Sequence, residues 1–206
     1  MNLDLWLAFV AAYTVISFIP GPSVFMVTGQ ALSHGLSAAF LCILGDVLGG
    51  VLLMTLAFLG AGTILATSAL LFQILKWVGV FYIAYLGYRQ IAEAYHGSAP
   101  EMAGTDQVAR PASMRAGFFV GVLNPKAIAF YMAFLTQFMD PGQEPLPQLL
   151  ILMATSSVVV AVVLSGYALT AAHARKRFQN ASARRRFGYA GGTCLIGGSL
   201  VMAATR

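Results

Sequence analysis

The sequence predicts an all-α integral membrane protein with six transmembrane helices. These form two inverted three-helix repeats, and helices one and four are interrupted at proline motifs. Three observations predict this: an extreme composition, long charge-free stretches, and two helix breaks at matching places in the two halves. Of 206 residues, 59% are hydrophobic and 9% charged, with mean hydropathy +0.79. A soluble domain carries about 25% charged residues. This chain has too few to coat a water-facing surface, which excludes a disordered segment, a collagen and a soluble enzyme.

No Asp, Glu, Lys or Arg lies between Asp4 and Asp46, between Asp46 and Lys76, between Glu144 and Arg175, or between Arg186 and Arg206. A spanning helix needs about 20 mostly apolar residues, so each gap holds at least one. A transmembrane β-barrel would alternate polar and apolar residues over short segments. Runs such as Val158–Leu164 do not alternate, which leaves helices.

The first span runs from about Leu5 to Gly29, broken at Pro20-Gly21-Pro22. The second runs from Leu36 to Leu59, and Gly60 and Gly62 mark the turn after it. The third runs from Ala69 to Tyr88. The fourth runs from Ala116 to Phe138, broken at Asn124-Pro125. Pro141-Gly142 opens the next turn, and the fifth and sixth spans cover Leu146 to Ala171 and Phe187 to Thr205. The whole chain, 1–206, is one transmembrane domain. Repeat one covers about residues 5–92, a hydrophilic cytoplasmic linker about 93–114, and repeat two about 115–206.

Nine of the twelve Lys and Arg fall in the loops after spans one, three and five, including the cluster Arg175–Arg186. The positive-inside rule makes that face cytoplasmic and places both termini on the outer side. The net charge of +5 is thus a topology signal and not a nucleic-acid surface. The cluster has a second reading, contact with anionic lipid. Cys42 and Cys194 lie far apart in apolar runs, with no metal or redox spacing. No metal and no cofactor is expected, and nothing points to an enzyme.

The breaks carry the functional reading. Pro20 and Pro22 lack an amide hydrogen, and Gly21 takes backbone angles other residues resist. Phe18 to Val24 in the first half matches Gly121 to Ala127 in the second. With three spans per half, the halves must be inverted. Paired breaks in inverted halves mark the binding site of a transporter. Carbonyls and amides freed in mid-membrane are tolerated only in protein or beside a wet cavity. A zwitterion needs both, donors for its carboxylate and acceptors for its ammonium.

Asp46 and Lys126 stand near the middle of spans two and four. Each costs about 2.5–3.5 kcal/mol at the bilayer centre on insertion scales. Two arrangements fit: a static Asp46–Lys126 ion pair, or a cavity in which Lys126 meets the substrate carboxylate and Asp46 meets the ammonium or carries a proton. The expected substrate-binding residues are Pro20, Gly21, Pro22, Ser23, Asn124, Pro125 and Lys126, with Asp46 in proton coupling. Lys76, Tyr82 and Tyr85 are secondary candidates; Lys76 also fits a snorkelling role, and the tyrosines an interfacial belt. Gly45, Gly49 and Gly50 surround Asp46 and suit close helix packing.

The same residues resemble a known family. Pro20-Gly21-Pro22-Ser23 leading to Gly29-Gln30-Ala31-Leu32-Ser33-His34-Gly35 is similar to the opening signature of the lysine exporter (LysE/RhtB) superfamily. So are Leu75-Lys76-Trp77-Val78-Gly79 through Tyr85-Leu86-Gly87, and Leu123-Asn124-Pro125-Lys126-Ala127 continuing to Phe138. Gly45-Asp46 resembles the leucine and neutral amino-acid branch. Ser23 stands where Asn is common, and Thr136 where Pro is frequent. The resemblance implies a small exporter of amino acids in the bacterial inner membrane, driven by the proton motive force. The expected partners are an amino-acid substrate, protons and the lipid bilayer, and a chain this small is compatible with a homodimer. The alternative from the residues alone is an exporter of another small solute or cation.

Overall fold

The computed structural model describes residues 1–61 and 106–177, and isolated helical positions between 77 and 95 and between 189 and 203. All regular structure among these is helical. Helix α1 covers Leu3–Phe18, α2 Pro22–Ser33 and α3 Leu36–Leu56; α4 covers Asp106–Leu123, α5 Pro125–Phe134 and α6 Pro145–Arg177. Asn2 caps α1 by accepting from the Asp4 amide.

Helices α1 and α2 meet at the proline motif at a bend of 55°, the geometry of a broken span or a re-entrant loop. Pro22 occupies the first turn of α2, where a missing amide hydrogen costs nothing. The residues between the halves therefore carry the whole bend. Pro125 opens α5 in the same way behind the Asn124 cap. Both expected interruptions are present.

Glycine governs the next two ends. Gly35 (φ 89°) leads into α3, and Gly60 (φ 83°) sits in the π-helical turn Ala57–Ala61 that closes it. A side chain at either φ would be strained. The expected turn at Gly60 is thus present, whereas Gly62 lies outside the described residues. Helix α4 starts at Asp106, ten residues before the expected Ala116. The hydrophilic linker expected to reach residue 114 is thus helical from Asp106, with Pro111 inside α4 at the cost of a backbone hydrogen bond.

Among the described residues two helices are long and apolar enough to cross a membrane, Leu36–Gly60 and Pro145–His173, and the bent first pair makes a third if counted as one span. Much of the expected third and sixth spans lies outside the described residues. The outward row Phe40, Leu44, Leu48, Leu52 and Leu56 of α3 is exposed. An apolar row on the outer face fits a helix whose solvent is lipid.

The core has two parts. One gathers α2, α3, α4 and α6 around Val27, Ala31, Cys42 and Leu164. The other is aromatic and joins α1 to α5 through Phe9, Tyr13, Phe130 and Tyr131. Phe9 stacks on Tyr13 at 5.5 Å and meets Phe138 edge-on at 5.4 Å.

Helices α3 and α4 approach most closely, through glycines on both. A methyl group on Gly45 or Gly49 would strike the Met114 or Phe118 carbonyl. One on Gly117 or Gly121 would strike the Cys42 or Asp46 carbonyl. Each helix carries the small-xxx-small spacing that lets membrane helices touch at their backbones.

The turn before α6 is held by the Asp140 carboxylate, which accepts from the Gly142 amide and Gln143 Nε2, and by Gln148. Gln148, 1% exposed, accepts from the Asp140 amide at 2.8 Å. It donates to the carbonyls of Asp140 (3.0 Å), Gln143 (3.3 Å) and Glu144 (3.3 Å). Gln148→Leu takes the partner from the part-buried Asp140 amide and from these carbonyls. A loss of about 3 kcal/mol of stability is expected, read as a lower melting temperature in detergent.

Candidate functional site

The two breaks meet. Ser23 is in the first turn of α2 and Lys126 in the first turn of α5, each following the proline that opens its helix. Asn124, the cap of α5, accepts from the Lys126 amide at 3.1 Å and donates through Nδ2 to Ser23 Oγ at 3.0 Å. The Ser23 hydroxyl donates to Asp46 Oδ1 at 2.5 Å. One chain of hydrogen bonds thus runs from α5 through the break of α2 to α3. Ser23, Asp46 and Asn124 are all buried, so a lost partner anywhere in it leaves a bare polar group.

The ammonium of Lys126 points elsewhere. Its Nζ donates to the carbonyls of Ile16 at 2.9 Å and Ile19 at 2.8 Å, at the broken end of α1. The Tyr167 hydroxyl, from α6, donates to the neighbouring Phe18 carbonyl at 2.9 Å. The carbonyls released by the first break therefore have partners inside the protein. Of the two arrangements expected for Asp46 and Lys126, the direct pair is not the one the hydrogen bonds describe. Asp46 holds a hydroxyl, and Lys126 holds backbone.

Ile16, Ser23, Asp46, Asn124 and Lys126 line one cavity whose space, its open mouth included, is about 610 Å³. Its polar wall is Ser17, Ser23, Asp46, Asn124, Lys126, Ser156 and Ser157; its aromatic wall is Tyr13, Phe130 and Tyr131. The Tyr131 hydroxyl donates to that of Tyr13 at 2.7 Å. Gly50 and Gly121 also line the cavity; the space a side chain on Gly50 would take is empty, whereas Gly121 is pressed against the Asp46 carbonyl. A few fixed polar groups on an apolar, aromatic wall are the usual make-up of a small-molecule site.

The structure brings together four expected residues, Ser23, Asp46, Asn124 and Lys126, from three separate stretches of chain. Pro20, Gly21, Pro22 and Pro125 shape the breaks without lining the cavity. Tyr82 packs on Phe119, with ring centroids 5.4 Å apart, and Tyr85 is exposed. Neither lines the cavity. Lys76 lies outside the described residues. The sequence reading missed Tyr13, Tyr131, Ser17 and Ser156. Small hydroxyls and single tyrosines are frequent in apolar helices, and only the breaks could have flagged their neighbours.

Two broken helices around a buried polar cavity, in a chain sheathed by apolar side chains, define a membrane transport protein and not an enzyme. The family model described as LysE type translocator matches residues 14–204, and the chain belongs to that family. It is 28% identical over 208 residues to an uncharacterized membrane protein of Vibrio cholerae serotype O1, covering 100% of both chains. It is 34% identical over 171 residues to the homoserine/homoserine lactone efflux protein of Salmonella typhimurium, covering 83% of this chain and 82% of that one. The protein of that name from Salmonella typhi is 33% identical over 171 residues, with the same coverage. No solved structure matches. The chain is therefore a membrane-embedded translocator.

Proposed function

We propose that this protein is a secondary active exporter of amino acids or close derivatives from the bacterial cytoplasm, working by proton antiport with alternating access. The observation that carries the reading is the meeting of both helix breaks at one cavity that also holds Asp46 and Lys126. Helix N-termini attract anions. The starts of α2 and α5 both border this cavity, and Lys126 adds a full positive charge beside them. A substrate carboxylate is served there. Asp46 carries the coupling proton, and Ser23 holds its carboxylate in place.

The reading extends to the whole chain: six spans as two inverted repeats, about residues 5–92 and 115–206, with a cytoplasmic linker between them. The protein sits in the inner membrane with both termini in the periplasm. The names of the two Salmonella relatives support a homoserine-like substrate. The energetics suffice. One proton crossing 100 mV releases about 2.3 kcal/mol, which sustains roughly a forty-fold substrate gradient.

The test is counterflow in proteoliposomes with labelled homoserine and a panel of neutral and basic amino acids, with and without an imposed pH gradient. Saturable exchange of one substrate class, accelerated by the gradient, is expected. Folded protein that exchanges none of them would refute the reading.

A further inference from the structure

The most unusual contact in the cavity is the one Lys126 makes. An ammonium on a flexible stem reaches from the start of α5 to the broken end of α1 and takes two backbone carbonyls there. We propose that the carbonyls of Ile16 and Ile19 are the subsite for the substrate's ammonium group, and that Lys126 and the substrate compete for it. This rests on the amino-acid reading above and deepens it.

Four observations support the assignment. First, the two carbonyls already satisfy an ammonium, at 2.9 and 2.8 Å, and a substrate ammonium has the same three donors. Second, they lie at the C-terminal end of α1, where the helix dipole favours positive charge. Third, the occupant has room to move. Ile16 and Lys126 both line the cavity, and the lysine end lies beside Gly21, where no side chain stands; a methyl group built there would be in ordinary contact with Nζ at 3.8 Å. Fourth, the neighbouring Phe18 carbonyl has its own partner in Tyr167, and the Ile16 carbonyl, which also accepts from the Ile19 amide at 3.2 Å, has a second lone pair for a cation.

Two cations cannot sit on one pair of carbonyls at once, because like charges repel at hydrogen-bonding separations. Arrival of a substrate ammonium therefore expels Nζ. Its stem keeps it beside the start of α5, where it meets the substrate carboxylate. One side chain thus guards the ammonium subsite and completes the carboxylate subsite in a single exchange. A substrate with an ammonium and no carboxylate gains only the first half. For that ligand Lys126 is purely a competitor, and it lowers the apparent affinity by the fraction of time it holds the subsite.

The deciding probe is homoserine lactone, which carries an ammonium and no free carboxylate. γ-Butyrolactone, the same ring without the ammonium, is the control. Wild type and Lys126→Met are compared by half-saturation in proteoliposome exchange, with homoserine counterflow in wild type as the reference. The variant is expected to take homoserine lactone with about tenfold higher apparent affinity and to leave γ-butyrolactone unchanged. Homoserine exchange in wild type, with lactone affinity in the variant unchanged or weaker, overturns the competition and leaves the exporter reading standing. No exchange of any amine by wild type overturns both. Should Lys126→Met not fold, Lys126→Ala removes the competing ammonium as well. The same tightening is expected from it, and its absence overturns the proposal.

Discussion

Gly121→Leu should leave almost no folded protein after extraction in mild detergent, whereas Gly166→Leu should be recovered at wild-type yield. A side chain at Gly121 meets the backbone carbonyl of Asp46, while one at Gly166 meets nothing within 4 Å. A flexible neighbour can turn aside, but a carbonyl inside a helix moves only with the helix. The α3–α4 contact would have to open along its length, and Gly45, Gly49 and Gly117 would lose their close fit with it. Overpacking commonly costs 1–3 kcal/mol. With backbone on both sides of the clash, about 4 kcal/mol or more is expected, enough to unfold a marginal protein. Monodispersity on size exclusion and the melting temperature measure it. The contact also sets the site. Gly121 touches α3 at Asp46, and Asn124 follows it within one turn of helix. The spacing that lets the Asp46–Ser23–Asn124 chain close is therefore fixed by two helices touching at glycine.

How much of this was legible in the sequence depends on where the information sits. The class was legible because charge is so costly in lipid that its absence over long runs has one reading. The breaks were legible because proline opens a helix but does not continue one, and both Pro22 and Pro125 open helices. Asp46 and Lys126 stood out as charges in otherwise apolar spans, and both line the cavity. Their partners were not legible. The direct pairing of opposite charges is the obvious guess, but the Ser23 hydroxyl and the α1 carbonyls satisfy them instead. Periodicity does not say which carbonyls a break leaves facing a lysine more than a hundred residues away. The glycines were half legible. Gly45 and Gly49 signalled close approach, but the matching pair Gly117 and Gly121 became evident only with α4 laid against them. Tyr82 and Tyr85 drew attention by their spacing, yet helical spacing alone does not say which face turns inward.

Asp46→Asn should uncouple transport without stopping exchange. The amide that replaces the carboxylate has nearly the same shape and keeps an oxygen that accepts the Ser23 hydroxyl, so the chain through Asn124 to α5 stays closed. What it loses is the ability to take up and release a proton. On the proposed mechanism, substrate-for-substrate counterflow needs only the occupied cavity to alternate between the two faces, and it continues. Net movement against a substrate gradient needs a proton to return, and it stops. With an imposed pH gradient, accumulation by the variant should fall to the level seen without one, a loss of up to roughly forty-fold at 100 mV equivalent. A variant that folds, exchanges substrate and still responds fully to the gradient would move the proton to another group on the cavity wall. The hydrogen-bonded Tyr13–Tyr131 pair is then a poor candidate, since phenols release protons in water only near about pH 10. Lys126 would be the better one. Its exchange between the α1 carbonyls and the substrate would then be the step that protonation controls, and the homoserine lactone affinity of wild type would have to change with pH.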